Sequence, residues 1–282
     1  MAKTRIANRV EGEDQHLKLA VLIDADNAQA AVIDGLLTEI AGFGEATVKR
    51  IYGDFTTSAS AQWKKVLNRY AIKPVQQFAY TTGKNSTDST LIIDAMDLLY
   101  TRRFDGFCLV SSDSDFTGLA LRIREEGLMV LGFGEQKTPE SFRNACHRFV
   151  FTEVLRPVAS RTQKGSGEKA PAEKAEAGDR AVANKVRAGA QAPQPETRTA
   201  PQEAEFPREF MLAALEEAGD DTGWASLGAF GTYLNKLQPD FDSRLYGFKK
   251  LSDLVKAKPD IFQLKERAVA GSGNRALYVR AK

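Results

Sequence analysis

The run Gly106-Phe107-Cys108-Leu109-Val110 leads directly into Ser111-Ser112-Asp113-Ser114-Asp115-Phe116. A short unbroken apolar run of this kind reads as a strand buried on both faces, as in a parallel sheet. Two carboxylates emitted at its end belong to a pocket rather than to a core. A second apolar run, residues 19–23, ends the same way, in Asp24-Ala25-Asp26-Asn27. Carboxylates gathered from two strand ends repel one another strongly unless a divalent cation lies between them. The pattern points to an acidic site for Mg²⁺ or Mn²⁺, and such sites act mostly on phosphates.

Outward from these two runs, strands alternate with helices. Further strands are expected at 46–52, 72–78, 128–133 and 147–151, with Pro74 placing the second of these near a sheet edge. Helices are expected at 28–41, 59–70, 86–102 and 116–126, with a short one opened by Thr138-Pro139. Asn27 and Asp115 stand where helix caps would. Alternation with short connections means right-handed crossovers and a parallel sheet covered on both faces. Open sheets of this class bind ligands outside the carboxyl ends of their strands. Asp24, Asp26, Asp54 and Asp113 all fall at such ends.

Charge and composition exclude several classes. The net charge over 282 residues is only +2, so no basic field announces nucleic acid. Residues 17–155 carry 15 Lys and Arg against 17 Asp and Glu. An acidic phosphate-handling domain fits a metal-dependent site and argues against simple electrostatic wrapping. Cys108 and Cys146 make neither a disulfide framework nor a zinc site. No apolar run reaches the roughly 18 residues that span a bilayer, and residues 1–18 lack the apolar segment of a secretory signal. A cytoplasmic protein is expected. Between 161 and 204 there is no aromatic residue and no Leu, Ile or Met. Such a segment cannot bury enough apolar surface to offset chain entropy. Residues 156–204 therefore read as a disordered linker between a domain at 17–155 and another at 205–282.

Each acid also has a plain structural reading. Asp115 can be a helix cap, Asp54 a turn residue after Gly53, and Asp88 an acid favoured by the dipole of the helix it opens. Asp94 lies six residues past Asp88, about 240° round a helix, so the two cannot share a face; it is expected to pair with a basic group. Ser111, Ser112, Ser114 and Thr117 can bind phosphate oxygens or simply fit a tight strand–helix junction.

Taken jointly, Asp24-Ala25-Asp26-Asn27 after a strand, Gly83-Lys84-Asn85-Ser86-Thr87-Asp88 with Asp94 beyond it, and residues 111–116 with Leu119 resemble a NYN domain. That family, which includes LabA-like proteins, belongs to the PIN-like nucleases, and the likeness covers residues 17–155. The resemblance implies a three-layer α/β fold and a metal-dependent (endo)ribonuclease using Mg²⁺ or Mn²⁺. It places Asp24, Asp88 and Asp113 at the metal-binding carboxylates, with Asn27 and Asp115 in support. A Gly-Lys that the family carries close to the middle acid is displaced here by Asn85-Ser86, which leaves the role of Lys84 open. His16 precedes the first strand and His147 lies at the last helix–strand junction, so base work would fall to the metal's own water, aided by an Asp. Lys84 and Arg122 either hold the RNA backbone or are ordinary surface charges. Haloacid-dehalogenase-like phosphatases share the Asp-x-Asp spacing. Asn27-Ala28, however, replaces their Gly-Thr or Gly-Val, and the Asp113–Asp115 gap is shorter than their late-acid pattern.

The C-terminal segment predicts helices at 207–218, from about 227 to 237, and at 249–257. Hairpin strands follow at 261–264 and 276–279 about Gly271-Ser272-Gly273-Asn274. Three helices and a wing make a small α+β winged helix. The stretch Tyr246-Gly247-Phe248-Lys249-Lys250-Leu251-Ser252-Asp253-Leu254-Val255 is similar to the centre of the OST-HTH, or LOTUS, domain. This likeness implies an RNA-binding or protein-docking module. Lys249, Lys250, Lys256 and Lys258 would form a basic helix edge and Arg275 a second contact on the wing, or these charges only solubilise the surface. The whole then reads as a nuclease with a tethered RNA-binding module. The competing reading is a non-catalytic RNA-binding scaffold with a degenerate acidic site. Protein partners, RNA substrate and oligomeric state are left open.

Overall fold

The structure, a computed structural model, describes residues 16–56, 61–78, 86–156, 206–268 and 275–282. Strand β1 (Leu17–Asp24) runs through the middle of a six-stranded sheet that also holds β2 (Gly44–Gly53), β3 (Lys73–Gln76), β4 (Gly106–Val110), β5 (Met129–Gly134) and β6 (Arg148–Phe151). The order is β3-β2-β1-β4-β5-β6 and every pairing is parallel. Successive β1 side chains alternate between faces. Leu19, Val21 and Ile23 pack under α1 (Ile33–Ala41) and α2 (Ala61–Tyr70). Ala20 and Leu22 pack under α3 (Ser86–Tyr100), α4 (Thr117–Glu125) and α5 (Glu140–Ala145). Two cores on opposite faces explain why β1 and β4 are apolar without alternation. Pro74 lies on edge strand β3, where a missing N–H costs least.

The strand order reverses direction between β1 and β4, so a crevice opens at their carboxyl ends. The two expected helix caps are corrected there. Asn27 does not start a helix: a turn over 25–27 and a 3-10 turn, Ala30–Val32, come first, and α1 has no side-chain cap. Asp115 does not cap α4 either, whose N-cap is Phe116. The capping acid is Asp113, which accepts from Asp115 N–H at 2.9 Å and opens a 3-10 turn, Ser114–Phe116.

The C-terminal unit comprises α6 (Arg208–Ala218), β7 (Ala225–Ser226), α7 (Leu227–Leu237), α8 (Leu251–Lys256), β8 (Phe262–Ala268) and β9 (Arg275–Ala281). Its antiparallel sheet has the order β7-β9-β8 and shares a core with all three helices. The third helix starts later than the sequence suggests. Gly247, at φ 84°, turns the chain out of a 3-10 turn at Ser243–Tyr246, and Lys250 is still extended as the N-cap of α8. Lys249 and Lys250 therefore precede the helix rather than form its edge. The expected linker beyond residue 156, Lys84 and the hairpin loop at 271–274 lie outside the described residues.

A flexible tether by itself predicts no fixed contact between the two units, but the structure contains one. Phe149 N–H, on edge strand β6, donates to the Pro239 carbonyl at 2.8 Å, which covers backbone that an edge strand would leave open. Arg143 pairs with the buried Asp240. Arg244 reaches both Glu39 oxygens, at 2.8 and 3.1 Å, and holds Asp242 at 2.6 Å. Leu245 packs against the α3–α5 core. Among the described residues no helix is long and apolar enough to cross a membrane.

Candidate metal centre at the strand ends

Asp24, the last residue of β1, is fully buried. A buried carboxylate needs hydrogen-bond partners, and this one has four donors. Its Oδ1 accepts from the N–H groups of Asp26 and Asn27 at 2.9 and 3.3 Å. Its Oδ2 accepts from Asn27 Nδ2 at 2.8 Å and from Ser111 Oγ at 2.7 Å. Asn27 is thus spent on Asp24, which is why it is not free to cap a helix. Ser111 also accepts from Asp113 N–H at 3.1 Å, tying the end of β4 to the end of β1. Gly134 on β5 lets the strand approach this turn: a Cβ there would meet the Ser111 carbonyl oxygen at 2.5 Å.

In front of Asp24, the carboxylates of Asp88, Asp113 and Asp115 bring one oxygen each to within 4.8 Å of one another. Asp88 comes from the first turn of α3, Asp113 from the end of β4 and Asp115 from the 3-10 turn beyond it. Burial, then the charges of Asp24, Asp113, Asp115 and Asp26, push the Asp88 carboxyl up to about 6. Burial and the Asp24 charge likewise raise Asp26, against a hydrogen bond from Thr87 that pulls it down. An all-oxygen set that raises its own proton affinity suits a hard divalent cation such as Mg²⁺ or Mn²⁺.

The predicted residues therefore divide. Asp88, Asp113 and Asp115 form the cluster, with Asp24 and Asn27 behind it. Asp26, which the sequence placed at a strand end without assigning it a role, joins the acidic group, since its charge acts on Asp88. Asp54 serves its turn, accepting from Thr56 N–H and Gln76 Nε2, each at 2.9 Å. Asp94 is held away by Arg50 and by the Tyr52 hydroxyl, whose pKa burial and Asp94 push up. Arg122 is engaged by Glu126 at 2.6 Å on its own helix and by the Tyr100 hydroxyl at 3.3 Å. At the junction, Ser112 Oγ accepts from Glu135 N–H at 2.9 Å, and Thr117 Oγ1 donates to the Ser114 carbonyl at 2.6 Å. His147 Nδ1 accepts from Val130 N–H at 3.0 Å, away from the cluster, and burial holds its pKa down.

Comparison with known proteins places this geometry. Family models match residues 18–154 to the NYN domain and residues 203–271 to the OST-HTH/LOTUS domain. A search of curated proteins gave no match. Among solved structures, an uncharacterized protein of Nitrosomonas europaea is 61% identical over 34% of this chain and 92% of its own, with a TM-score of 0.28. A protein of unknown function from Vibrio parahaemolyticus is 19% identical over 50% of this chain and 95% of its own, with a TM-score of 0.42. A Chromobacterium violaceum protein is 32% identical over 29% of this chain and 87% of its own, with a TM-score of 0.23. An acidic crevice at the β1–β4 switch point and a docked winged helix are thus the two parts of a NYN-domain protein with a C-terminal OST-HTH/LOTUS domain.

Proposed function

We propose that this protein is a metal-dependent ribonuclease that hydrolyses RNA phosphodiester bonds, with the C-terminal domain holding the RNA. The observation that carries this reading is the convergence of Asp88, Asp113 and Asp115 oxygens within 4.8 Å at the switch point of a parallel sheet. These three would hold a Mg²⁺ or Mn²⁺ ion, which supplies charge neutralisation for the scissile phosphate and acidifies water. The chain's own residues set the stage. Asp24, locked by Ser111 and Asn27, holds its carboxyl group in a fixed geometry at the floor of the crevice. Asp113 is held by its capping bond, so its carboxylate loses little freedom when a cation or phosphate arrives. With both histidines elsewhere, the side chains available to assist the metal's own water in losing its proton are carboxylates, and Asp26, raised by burial and by the Asp24 charge, is the candidate. Incubating the full chain with end-labelled RNA or DNA, with Mn²⁺, Mg²⁺ or EDTA, tests the reading. Metal-dependent cleavage of RNA is expected; RNA left intact under every condition would leave a non-catalytic RNA-binding protein.

A further inference from the structure

Where the two units meet, a cleft of about 350 Å³ is lined by residues from both. Glu39 and Arg148 come from the nuclease-like unit; Asn235, Arg244, Lys249 and Lys250 come from the winged helix. That volume lies within the range of about 300–1,000 Å³ typical of ligand sites. The charges lining it do not cancel. Arg244 is neutralised by Glu39 and Asp242, whereas among the described residues Arg148, Lys249 and Lys250 have no ion-pair partner. Arg148 lies over the Phe43 ring at 5.6 Å, and its Nε is buried without a hydrogen-bond acceptor. Asn235 Oδ1, on the facing helix α7, is also buried without a partner. Orphaned polar groups beside a cleft with surplus positive charge favour a ligand carrying anionic oxygens and hydroxyls.

We infer that the domain junction is a composite binding site for the phosphodiester backbone of RNA, with Arg148 acting together with Lys249 and Lys250. The inference rests on the reading that this protein holds RNA, and it makes the platform a property of both domains rather than of the winged helix alone. A lysine pair just ahead of α8 is a weak platform by itself. Arg148 completes it because the Arg143–Asp240 and Arg244–Glu39 pairs fix one unit against the other. The cleft lies by the last turn of α1 and the β6 edge, away from the crevice containing Asp88 and Asp113.

Binding of a fluorescein-labelled single-stranded RNA to the full chain, in EDTA so that nothing is cut, tests this by anisotropy across a salt series. Arg148→Gln should weaken binding several-fold and lower the slope of log affinity against log salt by about 0.7, as for one lost phosphate contact on a single strand. Lys249→Gln with Lys250→Gln should do the same more strongly. Adding Arg148→Gln to that pair should cost less than it does alone, because the three act on one ligand. Arg148→Lys, which keeps the charge, should recover most of the affinity, separating a lost contact from a damaged fold. If Arg148→Gln binds like wild type while the lysine changes weaken binding, the composite site is wrong and the RNA reading stands. If the full chain binds no RNA at low salt, both are wrong.

Discussion

Ser111 Oγ, just beyond the end of β4, donates to Asp24 Oδ2, at the end of β1, across 2.7 Å. This bond closes the seam at which the sheet reverses its strand order. It also fixes the buried charge behind the acidic cluster. Ser111→Ala removes a donor from a buried carboxylate. The expected cost is about 1–3 kcal/mol in chemical denaturation. A loss within about 0.5 kcal/mol, the range of an ordinary surface change, would mean that Asp24 does not need this donor.

Asp24 and Asp113 should respond oppositely to the same substitution. Asp24→Asn turns one of two oxygens, each accepting two hydrogen bonds, into a donor, so two of the four bonds must break or rearrange and the melting temperature should fall. Asp113→Asn keeps the capping bond to Asp115, since Asn caps as well as Asp, and relieves repulsion in the cluster. Its melting temperature without metal should match or exceed wild type. A large drop for Asp113→Asn would instead mark this acid as structural.

Asp88 makes stability depend on pH. Its folded pKa of about 6 lies above the ordinary carboxylate value, so the folded state binds this proton more tightly than the unfolded chain does. That contribution is fully present below the ordinary carboxylate range and is lost as pH rises through about 6. Melting temperature without divalent ions, followed from pH 4 to 7, should therefore show less decline with pH in Asp88→Asn than in wild type. Identical slopes would show that Asp88 ionises normally in the folded protein.

Removing the C-terminal unit should destabilise what remains. Without residues 206–282, β6 loses the Pro239 carbonyl, Arg143 loses Asp240 and Glu39 loses Arg244. A fragment ending at residue 158 should melt several degrees below the first transition of the full chain in calorimetry. Independent melting at an unchanged temperature would show that the docked arrangement contributes nothing in solution.

How far the sequence discloses this arrangement depends on the range of the interactions involved. Strand 106–110 is legible because a five-residue unbroken apolar run between a turn and an acidic motif is too short for a buried helix and fits a strand covered on both faces. Helical geometry alone removes Asp94 from the face of Asp88, and the structure gives it Arg50 and Tyr52. Asn27 and Asp115 mislead as caps because local propensity cannot see that Asn27 is claimed by Asp24, or that Asp113 takes the capping bond first. The docking of Asp240 and Arg244 on the sheet edge is hidden for a stronger reason. It joins surfaces roughly a hundred residues or more apart, and charge composition does not say which acid meets which arginine. Lys249 and Lys250 show the same limit, since their residue types are apparent but the cleft they line is not.

Metal-dependent cleavage is decided by comparing wild type with Asp113→Asn on one end-labelled RNA, in Mg²⁺ or Mn²⁺ and in EDTA, with melting curves taken on the same preparations. Wild type should cut only with a divalent ion. Asp113→Asn should lose at least about a hundredfold in rate, the lower end of what a group stabilising developing charge is worth, while melting no lower than wild type. Cleavage that persists in EDTA, or a folded Asp113→Asn protein that cuts as fast as wild type, would contradict the metal-dependent reading.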